Sequence, residues 1–314
     1  MNTPTAVSWG AEPLWRELSP LLPGISVEVV ASCESTNTVL VERARRSSGV
    51  TDDQPSRMGE LEPPISGPIP LVEATPHGRR AGDTQPCLLV AETQTRGRGR
   101  QGRSWLSDAG ASLTFSLALP FGPPDWSGLS LAVGVALADA LDARTAADGP
   151  QGEHPRVALK WPNDLLWCDG ATAPRKLGGI LIETVPVGQR RMAVIGVGLN
   201  VAPIEAAAAE LSQGYACLQE LLPGLTPQAA LRRVARPLLQ AVLQFQREGF
   251  APFKARFERR DLLAGRPVRG LGEPAIEGIA LGIDDLGALR VQVGTEVRVL
   301  ASGEVSLRLA DESA

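Results

Sequence analysis

Histidine is nearly absent from this 314-residue chain. Its two copies, His77 and His154, stand far apart in Pro/Gly-rich surroundings, which excludes a His-based catalytic triad and a histidine metal site. Cysteine is scarce as well. Cys33, Cys87, Cys168 and Cys217 are widely spaced with no C-x-x-C pair, which argues against a zinc site or a disulfide framework and fits free thiols in a reducing cytoplasm. Cys33 and Cys87 lie in apolar runs and read as core. No window approaches the ~18 uninterrupted apolar residues of a membrane helix, and the opening MNTPTAVSWGAEPLW has neither the basic nor the apolar region of an export signal. Positive charge is not in excess either: 31 Lys+Arg against 35 Asp+Glu leave a net charge of −4, which opposes a general nucleic-acid binder.

Basic charge is instead concentrated at 91–105, AETQTRGRGRQGRSW, with arginines at 96, 98, 100 and 103 between glycines at 97, 99 and 102. Guanidiniums crowded in this way call for an anion, and the glycines let the backbone turn tightly and bring its own N–H groups to that anion. The stretch imitates G-x-G-x-x-G and nearly imitates a P-loop, but both motifs require a helix directly after the glycines. SWLSDAG and the alternating ASLTFSLAL follow, a turn and a strand, so neither motif applies. A flexible, solvated Arg/Gly loop remains the plain alternative.

In chain order, Trp9, Trp15 and Leu18 predict one short packing helix that ends by Pro20 or Pro23, with no room for a helix-turn-helix. A strand at 25–33 (ISVEVVASC) runs through Glu34-Ser35-Thr36-Asn37 into a helix that Ser35 or Thr36 would cap. The Ser/Gly/Pro-rich 47–86 reads as a disordered insertion. Then come a buried strand at 87–92, a half-buried strand at 111–119, an apolar helix at 126–143, and strands at 157–161, 176–185 and 192–201, with Gly196 and Gly198 marking close approach to the backbone. Helices are expected at 206–211, 226–248 (kinked at Pro237) and 250–263. Beyond Gly265 short β-branched runs alternate with turns, of which 282–287 is the clearest, and predict a small all-β barrel. The succession favours helices and strands built on a mixed or antiparallel sheet, assigned as an α+β fold with a mixed β-sheet, and divides into a short N-terminal extension (1–24), a main domain (25–263) and a C-terminal barrel (264–314).

Three further clusters carry chemistry. Lys160-Trp161-Pro162-Asn163-Asp164 sits at a strand end, where an Asx-capped turn is the plain alternative. Lys176 opens the apolar LGGILIE; a lysine entering a buried strand needs an anion, unless it snorkels at the edge. Asn200 could offer a donor and an acceptor together to an adenine edge.

Ser35-Thr36-Asn37, the GRGRQGR block with Gln94 and Trp105, KWPNDLL, RKLGGILIE, VIGVGLNV and SGEVSLR, in that order, resemble the bacterial biotin–protein ligase family over roughly 25–310. The resemblance implies a class II synthetase-like biotin/lipoate ligase fold with an SH3-like C-terminal domain. It also implies joining biotin to ATP as biotinoyl-5′-AMP, followed by transfer to one lysine of a biotin carboxyl carrier protein domain, such as that of acetyl-CoA carboxylase. By motif, Ser35, Thr36, Asn37 and Gln94 would hold biotin, with Arg98, Gly99 and Arg100 in the loop over it. Lys176 would contact the biotin carboxylate and the reacting phosphate, and Lys176 and Arg100 would be the catalytic pair. Arg100, Arg103, Trp105, Lys160, Asn163, Asp164 and Asn200 would serve ATP and the adenylate. Magnesium would arrive with ATP, with no protein-held metal. Regulatory family members carry an N-terminal DNA-binding domain for which this chain has no counterpart, so neither repression nor DNA binding is expected; a homodimer is allowed. Lipoate or octanoate ligases share the fold and are the alternative enzyme, and a non-catalytic Arg/Gly RNA-binding module is the alternative of another class.

Overall fold

The computed structural model describes residues 8–47, 83–143, 155–204, 214–270, 276–301 and 307–309. Most of the expected insertion, the expected helix at 206–211 and both histidines fall outside the described residues.

Helix α1 (Ala11–Leu18) buries Leu14 and Leu18, and the indole N–H of Trp9 just before it donates to Glu92 Oε1 at 2.8 Å. Strand β1 (Ser26–Cys33) leads into α2 (Thr36–Ser47), which crosses over to β2 (Cys87–Gln94), parallel to β1. Strands β3 (Ser112–Pro120), β4 (Val157–Lys160), β5 (Asp164–Trp167), β6 (Arg175–Val187) and β7 (Arg190–Asn200) complete a seven-stranded mixed sheet in the order β1-β2-β3-β7-β6-β5-β4. Unforeseen from the sequence is β5: the polar Asp164 opens a four-residue strand whose Leu165, Leu166 and Trp167 are buried between β4 and β6.

Each face of the sheet has its own core. On one lie α3 (Leu129–Leu141) and α4 (Pro227–Glu248), with Phe115, Leu117, Ile195 and Val197 beneath them. On the other, Leu40, Val41 and Ala44 of α2 meet Leu89, Ala118 and Val194. The expectation of a half-buried β3 is therefore corrected. Ser112 to Leu119 are all buried, because α2 covers the face that the alternating Ser and Thr residues would otherwise turn to water. Helix α4 starts where Thr226 Oγ1 accepts from Ala229 N and Pro227 fills the first turn, and it continues through Pro237 to Glu248.

After α5 (Ala251–Glu258), strands β8 (Pro267–Gly270), β9 (Glu277–Ile283), β10 (Leu289–Val293), β11 (Glu296–Leu300) and β12 (Leu307–Leu309) form an antiparallel sheet in the order β11-β10-β9-β8-β12. The β9–β10 turn is held by Asp284 Oδ1, which accepts from Leu286 N and Ala288 N. This turn packs on the β4–β5 connection and α5: the buried Trp161 indole donates to Gly287 O at 3.1 Å, and Lys254 pairs with Asp285. Gly287 must be glycine here, with φ +83° and a would-be Cβ only 2.9 Å from Gly128 Cα.

Candidate active site

Between the start of α2, the Arg/Gly turn and strands β5, β6 and β7 lies a cavity of about 430 Å³, of the size that small-molecule sites have. Every side chain singled out from the sequence as a site residue lines it, together with Gly99. Two ends of different chemistry can be distinguished.

The α2 end is densely hydrogen-bonded, and the charge at its margin, Arg98 with Glu183, is paired. Ser35, Thr36 and Asn37 are buried where β1 gives way to α2, and the first-turn N–H of Thr36 donates to Gln94 Oε1 at 2.7 Å, so a side chain from the neighbouring strand satisfies a helix-start donor. Thr36 Oγ1 bonds the same oxygen at 3.2 Å. Ser116, from the polar face of β3, bonds Thr36 Oγ1 at 2.7 Å and Asn37 Oδ1 at 2.6 Å. The two glycines flagged on β7 make room for these neighbours. A Cβ on Gly196 would stand 2.3 Å from Asn37 Oδ1, and one on Gly198 would stand 2.5 Å from the Trp105 indole.

The β5 end is charged. Lys176 Nζ pairs with Asp164 Oδ1 at 2.8 Å and sits 6.0 Å above the Trp105 ring. The anion that a strand-opening lysine requires is thus supplied by the protein itself. Lys160 is buried at the end of β4, and Arg100 Nη1 donates to Asn163 Oδ1 at 3.4 Å while Asn163 Nδ2 donates to Ile180 O at 2.9 Å. Burial holds the Arg100 guanidinium pKa below its ordinary value; Asp164 opposes that shift and Arg103 adds to it. Among the described lining residues at this end Arg100, Arg103, Lys160 and Lys176 are cationic, against the single carboxylate of Asp164, while Arg98 lies toward α2 and is paired with Glu183. An excess of this kind in a partly desolvated cleft favours an anionic ligand. Trp105 Nε1, shut off from solvent, has no hydrogen-bond partner among the described residues, a donor that a bound acceptor would satisfy.

Asn200 departs from the reading of an amide offering donor and acceptor to a base. Its Nδ2 donates to Lys176 O at 3.1 Å and Ala216 O at 3.0 Å, fastening the 214–217 segment alongside β6. Lys176 N to Gly214 O and Ala216 N to Lys176 O complete that pairing.

Two residues next to the predicted set escaped the sequence reading. Ser116 belongs to the alternation SLTFSLAL, whose polar members a strand with one wet face would also show. Glu183, at the end of LGGILIE, accepts from Arg98 Nη2 at 3.1 Å and from Asn37 Nδ2 at 2.9 Å. Thiol chemistry is disfavoured: burial pushes Cys33 up to about 11 and Cys87 up to about 12.

Residues 80–200 match the biotin/lipoate A/B protein ligase family, and residues 264–308 match the biotin protein ligase C-terminal domain. The chain is 35% identical over 301 residues to the bifunctional ligase/repressor BirA of Escherichia coli, covering 95% of this chain and 78% of that one. It is also 35% identical to the biotin–[acetyl-CoA-carboxylase] ligase of Mycobacterium tuberculosis, over 71% of this chain and 79% of that one. Among solved structures, the Aquifex aeolicus biotin protein ligase in complex with biotin and ATP superposes with a TM-score of 0.62 at 25% identity, covering 90% of this chain and 99% of that chain.

Proposed function

The chain belongs to the biotin/lipoate A/B protein ligase family, and on that premise we propose that it is an ATP-dependent biotin–[acetyl-CoA-carboxylase] ligase. The observation that carries this reading is the polarity of the cavity: a hydrogen-bonding nest at the α2 end, where Arg98 is paired with Glu183, and a cluster of cations facing the single carboxylate of Asp164 at the β5 end. Biotin has the matching polarity, with an uncharged ureido ring at one end and a carboxylate at the other. The apolar dithiolane of lipoate would lie against the polar groups of Ser35, Thr36 and Gln94 that line this end without using them, which favours biotin within the family.

In the first step a biotin carboxylate oxygen attacks the α-phosphorus of ATP, the bond to the bridging oxygen breaks, and pyrophosphate leaves. Two anions must approach each other, so fixed cations at the reacting oxygens lower the barrier. Lys176 and Arg100 take that role, with Lys160 and Arg103 toward the phosphates and Trp105 against the base. Magnesium enters with ATP as part of the substrate. In the second step the neutral amine of a carrier lysine attacks the acyl carbonyl, AMP leaves with the electron pair of the broken C–O bond, and the amine proton passes to a base. Asp164 is the carboxylate at hand once Lys176 turns to the phosphate. The Arg/Gly turn covers the cavity and keeps water from the mixed anhydride. The acceptor is a lysine of a biotin carboxyl carrier domain, and we assign catalysis to 25–263 and an appended role to 264–314.

ATP–pyrophosphate exchange tests this directly, run with biotin, with lipoate or octanoate, and without acid. Exchange should require biotin, and Lys176→Ala should reduce it by about 10²- to 10³-fold, as loss of one transition-state contact does. Exchange with lipoate alone would move the enzyme to the lipoate branch of the family. No exchange with any acid by the folded protein would end the ligase reading.

A further inference from the structure

Glu183 stands on β6 outside the cavity lining, yet its two carboxylate oxygens take hydrogen bonds from two different lining residues. Oε2 accepts from Asn37 Nδ2 at 2.9 Å, and Oε1 from Arg98 Nη2 at 3.1 Å. The Asn37 side is rigid: Nδ2 also donates to Leu181 O at 3.1 Å, Oδ1 is bonded by Ser116, and Gly196 leaves no space beneath it. Glu183 is itself part of a central strand paired with β7 at Val194. The Arg98 side belongs to the Arg/Gly turn. That turn is closed on itself by Gly99 N to Arg103 O at 2.7 Å and Trp105 N to Gly97 O at 2.8 Å. From it, Arg98 reaches Glu183 and Thr38 Oγ1 (3.3 Å) at the α2 end, and Arg100 reaches Asn163 at the β5 end. The turn therefore spans the cavity and is tied to the sheet at both ends.

We propose that Glu183 is a positioning residue that latches the Arg98–Glu183 end of this turn down over the cavity, with Asn37 as the fixed post that aims its carboxylate. A carboxylate is suited to the task because Asn37 and Arg98 both present N–H donors, and one group with two acceptor oxygens can take both at once. The Arg98 side chain is 47% exposed and that of Glu183 24%, so solvent screens the pair. Its contribution to the closed-to-open ratio is therefore about 2- to 5-fold rather than a hundredfold. A latch of that strength lets ligand through and still favours closure.

The turn carries its own reporter, since trypsin cleaves after exposed arginine. Full-length protein without ligand is digested, and fragments cut after Arg100 and Arg103 are followed by mass spectrometry for wild type, Glu183→Gln, Arg98→Gln and the double variant. Glutamine is isosteric and still accepts from Asn37, so the fold is preserved while the charge facing Arg98 is lost. Glu183→Gln should speed cleavage in the turn about 2- to 5-fold, with the melting midpoint and cleavage elsewhere unchanged, and should add nothing to Arg98→Gln. In the exchange assay it should raise KM for biotin by a similar factor while leaving KM for ATP alone; only this second arm rests on the ligase reading. Unchanged cleavage after Arg100 and Arg103 overturns the latch. Faster cleavage throughout the chain with a lowered midpoint also overturns it, because Glu183 would then be a residue of the fold. Absence of exchange by wild type counts against the ligase reading, and the proteolysis comparison still decides the latch.

Discussion

Asp261 shows how one residue can set a pH dependence away from the cavity. It follows α5 and bridges to Leu159 of β4; its Oδ1 accepts from Leu263 N, while Oδ2 is cut off from solvent with no hydrogen-bond partner among the described residues. Burial is the largest cause of its shift and pushes the carboxyl up to about 6, from 3.8. An acid whose folded pKa is raised favours the protonated fold, so stability is retained below about pH 4, falls as pH rises through about 6, and stays reduced above. Asp261→Asn keeps an acceptor for Leu263 N and removes the charge. It should match wild type at pH 4 and gain stability on the order of 1 to 2 kcal/mol by pH 7, a divergence that thermal melts across this range would show. Equal pH profiles for the two proteins would contradict it.

At the scale of elements, β3 does more than its sequence announces. Ser116→Ala removes the hydroxyl that joins Thr36 to Asn37 at 2.7 and 2.6 Å in a buried setting. The loss should cost about 1–3 kcal/mol of stability and raise KM for biotin more than KM for ATP, measured by melting and by exchange kinetics. This strand also marks the limit of what could be read in advance. Alternating Ser/Thr with apolar residues is the pattern of a strand, and the strand is there; whether its polar side meets water, a helix or a cavity is decided by where α2 lands, and nothing within nine residues records that. The Arg/Gly turn was legible for the opposite reason. Its charge is too dense for a core and its glycines too frequent for a regular element, so composition alone fixes its character. KWPND and Lys176 were legible as polar groups interrupting apolar strands. Their pairing with each other through Asp164 was not, because it depends on β5, a strand too short to show a period. Asn200 was visible as a polar end to a strand, yet its donors turn to carbonyls of Lys176 and Ala216, and backbone acceptors leave no trace in a sequence.

For the whole molecule, the contact of the β9–β10 turn with the β4–β5 connection is the part least visible beforehand and nearest to the chemistry. The buried Trp161 indole, flanked in sequence by Lys160 and Pro162, donates to the carbonyl of Gly287 in the β9–β10 turn. Trp161→Phe keeps a ring in the site and removes only the donor, leaving a buried carbonyl without it. A loss of about 1–3 kcal/mol is expected, together with a higher KM for ATP and an unchanged KM for biotin, since the residues flanking Trp161 line the charged end of the cavity. Melting curves and exchange kinetics on the same preparation measure both; an altered biotin KM alone would place the effect at the wrong end.

The order of the larger sheet also bears on how the chain comes to fold. Strand β3 finds its partner in β7, with Ser112 opposite Asn200, and β6 reaches β3 only through β7. Pairing β3 with β7 must close a long loop before it gains any contact, whereas β6 and β7 are joined by a two-residue turn. The cavity draws on both: Gly179 to Leu181 and Gly196 to Gly198 come from the β6–β7 hairpin, while Phe115 comes from β3 and Gln94 from β2. A chain in which only the hairpin had formed would therefore hold half a site, and adenylate chemistry would begin only once β2 and β3 had joined it.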